Sequence, residues 1–381
     1  MLAVAFNMRL LMASLPPLAE RIAEDLDLGG AAIGVLTSIP VLCMGLLAPL
    51  ASRLARRVGP AHAIGAGITL VLVGTVLRGV GGVARWSLYA GTLTAGIGIA
   101  LAGTLLPGVV KSVFPPNRAG LGTGLTMFAM MGGAGIASAT SVPLARALGG
   151  WPPSLLAWAV AAAVGVLVWV PVTRAMARHT LPSVPTEDVS HALPWRSATA
   201  LLLSAFLTFQ SWQFYSSLAW LAPTYETHGW TPSAAGLLMS LFTGAQLLSG
   251  LLAPALADRV PDWRVILVLA GGCGLIGELG VALLPTAAPW LWALMLGVGQ
   301  GAAFALGLTL LVRYAATSHD VARLTAMAFL VSYGLAALGP TVMGLVRDVG
   351  GESVLWLVLA GVMVPQLVIS GRLRPGRPKV S

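Results

Sequence analysis

Residues 46–53 read LLAPLASR, and residues 251–259 return to nearly the same letters as LLAPALADR. Two more motifs are repeated: GIG at 96–98 returns as GVG at 297–299, and LGG at 148–150 returns as VGG at 349–351. The second copies begin 205, 201 and 201 residues after the first, so the offset is nearly constant. A constant offset predicts two copies of one helical unit. Membrane transporters are commonly built from such copies, with the solute site between them.

The composition places the chain in a membrane. Hydrophobic residues make up 57% of the sequence and charged residues 9%, and the mean hydropathy is +0.87. A soluble domain carries roughly 25% charged residues. At about 20 residues per spanning helix, the chain accommodates about twelve helices. We predict an all-α membrane protein with two pseudo-symmetric six-helix halves, whose spans lie at about 2–18, 32–54, 61–83, 87–110, 119–148, 153–172, 198–223, 233–256, 265–284, 290–314, 322–346 and 354–370.

The charges indicate the orientation of the chain. A net charge of +9 is compatible with nucleic-acid binding and with membrane topology, and the positions of the basic residues distinguish the two. With both termini in the cytoplasm, 12 basic residues fall in cytoplasmic loops and 4 in the tail, which makes 16 of the 22. This is the positive-inside bias of membrane proteins. We expect a multi-pass protein of the bacterial inner membrane with both termini cytoplasmic, in contact with the lipid bilayer and not with nucleic acid.

One polar stretch divides the chain. It contains three prolines and mixed charge and lies near the midpoint, so it predicts a cytoplasmic linker between the halves. The expected organisation is an N-terminal half at 1–175, the linker at 176–196, a C-terminal half at 197–371 and a basic cytoplasmic tail at 372–381.

Signatures of enzymes, cofactors and metals are missing. The sequence contains neither a G-x-x-x-x-G-K phosphate loop nor an H-E-x-x-H zinc helix. Cys43 and Cys273 lie inside predicted spans, one in each half, and their spacing favours small buried fillers over a metal site or a disulfide. Pairs such as Gly297-x3-Gly301 predict close helix packing. We expect no enzyme activity, no cofactor and no metal.

Two of the charged residues within predicted spans invite a role in function. Arg9 follows Asn7 in the first span, where a guanidinium is costly and normally faces a cavity or a partner. Arg9 is a candidate counter-charge for an anionic or dipolar solute; the alternatives are that it reaches the membrane surface or pairs structurally. Glu278 is the acid in the ninth span. It is a candidate for proton coupling, and a structural hydrogen bond is the favoured alternative.

The seventh span carries a polar stripe. Gln210, Gln213, Ser217 and Trp220 are spaced by three and four residues, so they share one helical face. Aligning the halves places Asn7 opposite Gln213 and Arg9 opposite Tyr215. Further solute-binding candidates are Gln300 and Tyr333, while Ser240, Thr243 and Gln246 form a second polar stripe in the eighth span. For each residue, hydrogen bonding between helices is an equal alternative.

These segments resemble the cyanate permease family of the major facilitator superfamily. The similarity is carried by NMR at 7–9, LTSIPV at 36–41, LPGVVKSVFP at 106–115, QSWQFY at 210–215, WLAP at 220–223, GVGQG at 297–301 and YGLAALGP at 333–340. The superfamily's loop signature G-x3-D-R-x-G-R-[RK] survives in part as ASRLARR within residues 48–57, without its glycines and aspartate. The candidate gating residues of the two loops are Arg53, Arg57, Asp258 and Arg259.

The resemblance implies a twelve-helix secondary transporter that moves a small solute by alternating access. The coupling ion stays open, whether a proton or none, and we expect a monomer. Drug efflux within the same superfamily is the nearest alternative; it would be favoured by a wide apolar cavity, which Met127, Met130, Met131 and Trp212 could line. A solute sensor would need an output domain, for which the short loops leave no room. A membrane-embedded enzyme would need a catalytic cluster within the spans.

Overall fold

The first half of the chain folds into six membrane-crossing segments. The computed structural model describes residues 1–80, 84–113, 119–178 and 193–380. The helices of this half are α1 (Leu2–Ala13), α2 (Ala19–Leu26), α3 (Gly30–Val58), α4 (Pro60–Val80), α5 (Arg85–Val113), α6 (Ala119–Leu148), α7 (Trp151–Ala157) and α8 (Ala159–Arg178). Two spans are built from two helices each, since α1 continues into α2 and α7 into α8.

The second half repeats this plan. Its helices are α9 (Ala198–Thr227), α10 (Pro232–Ala257), α11 (Arg264–Leu283), α12 (Pro289–Tyr314), α13 (Ser318–Ala336) and α14 (Leu338–Arg372). Residues 179–192, most of the predicted linker, lie outside the described residues.

The described helices give the predicted twelve spans. Ten segments are long and apolar enough to cross a bilayer, and one of them runs for 50 residues from Arg323 to Arg372. A straight helix of that length would be about 75 Å long, more than twice the ~30 Å hydrocarbon core. The chain reverses inside it at Gly351, whose φ of 78° is not helical. The twelfth span is α9, which is too polar to count among the ten but runs for 30 residues through the bundle.

The repeated glycine pairs mark equivalent turns. Gly149 has a φ of +84° where α6 ends, and Gly351 has a φ of +78° at the reversal within α14. Glycine adopts this left-handed region without a steric penalty, whereas other residues do not. The matched LGG and VGG sequences therefore form matched turns between the fifth and sixth spans of their halves.

The first span is broken where the sequence places two prolines. α1 ends at Ala13, and Pro16–Leu18 forms a 3-10 turn before α2 begins. Proline lacks the amide proton that a continuing helix needs. α2 carries Glu20, Glu24 and Asp25, and it extends the first span beyond the predicted residue 18 to Leu26.

The turns between spans define two faces of the bundle. We call the face that carries the chain termini the terminal face and the opposite one the distal face. On the distal face, Arg85 donates hydrogen bonds to the carbonyls of Leu26 (2.8 Å) and Asp27 (3.1 Å). On the terminal face, Trp263 donates to the carbonyl of Leu373 at 2.8 Å. The periphery between the faces exposes large apolar side chains such as Leu167 and Val160, as contact with lipid requires.

Backbone contacts at glycine hold neighbouring helices together in the same way in both halves. A Cβ atom on Gly98 would lie 2.4 Å from the carbonyl oxygen of Gly67, so α4 and α5 touch through their backbones. A Cβ on Gly299 would lie 2.6 Å from the carbonyl oxygen of Ala270, which joins α11 and α12. Both glycines belong to the repeated GIG and GVG motifs. The sequence duplication is therefore a duplication of packing.

Candidate functional site

A small cavity lies between the two halves, in the middle of the bundle. Two helices of the first half, α1 and α6, and two of the second, α9 and α10, contribute its walls. The lining is mostly apolar with three polar side chains, and consists of Arg9, Met12, Ala13, Met131, Ala134, Phe214, Leu218, Thr243 and Gln246. A cavity built by both halves is the position that the duplicated sequence predicts for a solute.

Arg9 brings a positive charge to this cavity. Its guanidinium lies over the ring of Phe214 in the opposite half, 4.9 Å from the ring centre. Such stacking orients the cation and stabilises it by about 0.5–2 kcal/mol, more as it is desolvated. Within the described residues, Arg9 forms no hydrogen bond or ion pair with the protein. Its donors are therefore available to a molecule in the cavity.

Across the cavity, α10 presents two polar side chains. The Thr243 hydroxyl donates to the carbonyl of Met239 at 2.9 Å, one turn earlier, so its lone pairs are left to accept from the cavity. The Gln246 side chain is buried and lines the cavity, and within the described residues it has no hydrogen-bond partner. The site thus offers a cation from one half and an uncommitted amide from the other.

Two predicted solute ligands instead bind each other. Gln210 of α9 donates from Nε2 to the Gln300 carbonyl oxygen at 3.2 Å, and its Nε2 lies 3.5 Å from Gln300 Oε1. Both side chains are buried. This pair joins α9 to α12, and the structure does not place either residue on the wall of the cavity.

Asn7 and Gln213 each join two helices of their own half, and they occupy equivalent positions. Asn7 donates to the carbonyl of Ala161 at 3.0 Å, which ties the first span to the sixth. Gln213 donates to the carbonyl of Leu359 at 3.0 Å, which ties the seventh span to the twelfth. The sequence alignment that set Asn7 opposite Gln213 thus pairs residues with matching contacts. Neither amide lines the cavity.

The aromatic candidates lie close to the site without lining it. Tyr215 is edge-to-face with the cavity residue Phe214, with ring centres 4.8 Å apart, and its ring centre lies 6.3 Å from that of Tyr333. Trp220 donates to the carbonyl of Pro340 at 2.9 Å, further toward the distal face. Tyr215 therefore packs against Phe214, and Tyr333 packs against Tyr215. Trp220 joins α9 to α14.

The halves close against each other on the distal side through two equivalent helix pairs. A Cβ on Gly34 of α3 would lie 2.4 Å from the carbonyl oxygen of Pro340 in α14. A Cβ on Gly236 of α10 would lie 2.4 Å from the carbonyl oxygen of Ser138 in α6. The two glycines are 202 residues apart, and so are their two partners. Small residues thus let backbones of opposite halves touch at two symmetry-related places.

Charged groups add to this closure at the distal face. Asp348 accepts hydrogen bonds from the backbone N–H groups of Gly30 (2.9 Å) and Ala31 (3.2 Å), so it caps the N-terminus of α3 from the other half. Arg347 forms an ion pair with Glu20 of the first half at 2.6 Å and another with Glu352 of its own half. A carboxylate at a helix N-terminus is stabilised by the helix dipole. These contacts close the distal face over the cavity.

The hydroxyls of Ser38 and Thr341 provide a way to lock this closure. Their oxygens are 2.9 Å apart and belong to opposite halves, so cysteines at these two positions would bring their sulfur atoms near each other. In a chain with Cys43→Ala and Cys273→Ala, we expect Ser38→Cys with Thr341→Cys to form a disulfide on oxidation. Transport should then stop in proteoliposomes and return on reduction, while Ser38→Cys alone stays active. Full transport in the cross-linked protein would show that the distal contacts need not open.

Comparison with known sequences identifies the family. The sequence model described as Major Facilitator Superfamily matches residues 1–340 and again residues 201–381, which together cover the whole chain. The chain belongs to the major facilitator superfamily. This confirms the fold and the kind of protein that the sequence predicted, a membrane transporter.

Individual proteins in this superfamily are similar over nearly the whole chain. The 2-nitroimidazole transporter of Escherichia coli (strain K12) is 33% identical over 371 residues, 97% of this chain and 92% of that protein. The cyanate transport protein CynX of the same strain is 28% identical over 377 residues, 98% of this chain and 96% of that protein. The predicted resemblance to the cyanate permease family is confirmed.

A solved structure in the superfamily shares the fold. The inward open conformation of the xylose transporter XylE from E. coli matches with a TM-score of 0.78, covering 100% of this chain and 97% of that chain. The identity is only 13%, so this likeness concerns the fold and not the solute.

The loop residues typical of this superfamily lie on the terminal face. Arg53 and Arg57 are exposed near the end of α3, and Arg259 is exposed after α10. Asp258 forms an ion pair with Arg313, within the second half. In the same loop, hydrogen bonds from the Arg264 side chain lower the pKa of Asp262. A gating role for these residues stays a prediction.

Glu278 lies apart from the cavity in this superfamily member. It is fully buried on α11, a helix that packs against α12 and α14 and contributes nothing to the cavity wall. Neither carboxyl oxygen has a hydrogen-bond partner in the part of the chain that the structure describes. The favoured structural hydrogen bond is thus not found among those residues. An unpaired buried carboxylate is costly.

The sequence indicated some cavity residues and gave no reason to select others. Thr243 and Gln246 were visible as a polar stripe on the eighth span, although they were not counted among the solute ligands. Met12, Phe214 and Leu218 carried no signal, because an apolar residue in a membrane helix faces lipid, protein or cavity with equal ease. Asp348 and Glu20 were visible only as charges near predicted span ends.

Proposed function

We propose that this transporter carries a small anionic or strongly dipolar solute, bound between Arg9 and Gln246. The observation that carries the proposal is the Arg9 guanidinium, which lies in a cavity shared by both halves without a polar partner from the described protein. A solute with a negative group would accept hydrogen bonds from Arg9. The Gln246 amide and the Thr243 oxygen would contact its other end.

The energetics favour a solute that brings negative charge. A cation buried in a membrane protein is costly unless a partner offsets its lost hydration. The stacked Phe214 ring offsets part of that cost, and an anion or a strong dipole would offset more. The related proteins are named for cyanate, a small anion, and for 2-nitroimidazole, a small ring with a strong dipole. Both fit the chemistry of this cavity.

Transport would proceed by alternating access of the two halves. The distal face is held by contacts that join one half to the other, so their separation would open the cavity to that side. Basic residues are concentrated in the loops of the terminal face, and by the positive-inside rule we place that face in the cytoplasm. With the distal face closed, the cavity would then exchange solute with the cytoplasm. We propose that the protein works as a monomer in the inner membrane.

The solute class can be tested by thermal unfolding of the purified protein in detergent. The panel would contain cyanate, small carboxylates, 2-nitroimidazole and cationic dyes. A ligand that binds only the folded state adds about 2.7 kcal/mol of stability at a hundredfold excess over Kd. A rise in melting temperature with small anions or nitroaromatic compounds supports the proposal. Stabilisation by cationic dyes alone would contradict it.

Drug efflux is the second candidate, and one observation favours it. The cavity wall is mostly apolar and includes Met12 and Met131, whose flexible side chains adapt to ligands of different shape. A bulky neutral compound that stabilises wild type and Arg9→Gln equally would support this function over the first.

We propose that Glu278 does not couple transport to protons, because its helix does not reach the cavity. Glu278→Gln removes the titratable group and keeps the shape of the side chain, so solute uptake driven by an imposed pH gradient should stay at the wild-type rate. The measurement is uptake into proteoliposomes with and without that gradient. Loss of gradient-driven accumulation, with solute exchange preserved, would instead identify Glu278 as the coupling carboxyl.

A further inference from the structure

A second buried guanidinium lies in the first half, away from the solute site. Arg78 of α4 is only 2% exposed. The neighbouring helix α5 packs tightly against its side chain, since a Cβ on Gly91 would lie 2.8 Å from Arg78 Cγ. One nitrogen, Nη1, donates to the carbonyl of Leu11 at 3.2 Å. Nε has no hydrogen-bond partner among the described residues, and no ion pair to Arg78 is found there.

Arg78 points into a small cavity of its own. The walls include Leu36, Thr37 and Pro40 of α3 and Thr92 of α5. Met12 lines both this cavity and the solute site, so the two are adjacent. The free space suits a body of about the size of one water molecule, as does that of the cavity between the halves.

The two threonines of this cavity differ in what they can donate. Thr92 is committed to the carbonyl of Leu88 at 2.7 Å. Thr37 is buried, and its hydroxyl has no hydrogen-bond partner in the described part of the chain. Arg78 and Thr37 thus line the same space, and the Arg78 Nε–H and the Thr37 hydroxyl each lack an acceptor among the described residues. Two unused donors beside a positive charge are the chemistry of an anion site.

The protein offsets the charge of Arg78 only in part. The Leu11 carbonyl lies near the end of α1 at Ala13, where a helix C-terminus carries about half a negative charge, and it also accepts from the Ser14 hydroxyl at 3.0 Å. A fully buried guanidinium needs more than one carbonyl and half a charge to offset its lost hydration. A monovalent anion in the cavity would supply the remainder.

We propose that Arg78 and Thr37 form a buried site for a small monovalent inorganic anion such as chloride, separate from the solute site. The anion would hold α4 and α3 against the break after α1, close to the helix turn that carries Arg9. It acts as a stabilising ligand of the folded first half. This inference goes beyond the proposed transport function and does not depend on it.

The test compares the melting temperature of the full-length protein in sodium chloride and in sodium gluconate at equal ionic strength. Wild type is expected to melt higher in chloride, with a saturable dependence on its concentration. Thr37→Val keeps the shape of the side chain and removes one donor, so the apparent chloride affinity should fall about tenfold. Thr69→Val is the matched control, because Thr69 is on the exposed side of α4 and bonds only within its helix.

Two further variants separate this site from the other possible sources of an anion effect. Arg78→Gln should remove the chloride dependence, and Arg9→Gln should keep it. If Arg78→Gln does not fold, Thr37→Val still decides the matter. Equal melting temperatures of wild type in chloride and gluconate would overturn the proposal and leave Arg78 as a cap for the break in α1. A chloride effect that survives Thr37→Val unchanged would place the ion elsewhere.

Discussion

Replacing Arg9 with glutamine is expected to lower solute uptake about 10- to 100-fold at solute concentrations below KM. Arg9 is the charged group of the central cavity and has no polar partner in the described protein. A hydrogen bond to a charged group contributes about 1.5–3 kcal/mol, and each 1.4 kcal/mol corresponds to a factor of ten in affinity. Glutamine keeps an N–H donor on a shorter side chain but loses the charge. The measurement is initial uptake of labelled cyanate or 2-nitroimidazole into proteoliposomes.

The matched control for Arg9→Gln is Arg372→Gln. Arg372 ends α14 on the terminal face and is exposed, so its replacement should leave uptake unchanged. Arg9→Lys would report on geometry, because lysine keeps the charge without the planar group that stacks on Phe214. We expect an intermediate loss for this variant. Equal uptake by wild type and Arg9→Gln would remove Arg9 from the solute site and favour the efflux function.

The duplication in the sequence predicted much of the fold because it records repeated packing. Gly98 and Gly299 occupy the same place in their halves, and each allows a backbone contact between neighbouring helices. The glycine turns at Gly149 and Gly351 repeat as well. These features depend on local requirements, close approach and a left-handed φ, which only small residues meet. A residue type can therefore reveal them without a structure.

The sequence predicted the solute site less well, because α9 is surrounded by helices. In a surface helix, polar residues mark one solvated face. Within this bundle, Gln210 faces α12 and Gln213 faces α14, so each polar side chain meets a neighbour's backbone. The predicted polar stripe is real, but it consists of contacts between helices. Which polar side chains remain without a protein partner depends on tertiary packing, which leaves the Arg9 and Gln246 side chains without a hydrogen-bond partner among the described residues.

Gly34→Ala is expected to reduce transport about tenfold or more by opening the distal contact between the halves. The added Cβ would lie 2.4 Å from the carbonyl oxygen of Pro340 and 2.7 Å from the Cα of Thr341. Both are backbone atoms, which cannot rotate away. Overpacking of this kind costs about 1–3 kcal/mol. Because α3 and α14 belong to opposite halves, that cost falls on the distal-closed state, whose population drops accordingly.

The repeat supplies both a second test and a control for this prediction. Gly236→Ala would bring a Cβ within 2.4 Å of the Ser138 carbonyl oxygen at the equivalent contact, so it should behave as Gly34→Ala does. Gly244→Ala lies on the same helix as Gly236, and nothing is within 4 Å of its Cβ position. It should transport at the wild-type rate.

Accessibility at the distal contact distinguishes an opened interface from a damaged fold. In a chain with Cys43→Ala and Cys273→Ala, Ser38→Cys lies beside Thr341 and should react slowly with a membrane-impermeant maleimide applied to the distal side. Adding Gly34→Ala should speed this labelling while the protein keeps its elution volume in detergent. Slow transport without faster labelling would mean that Gly34→Ala acts inside the first half. Alternating access predicts that slower transport and faster labelling occur together, because the contact that excludes the reagent also closes the cavity.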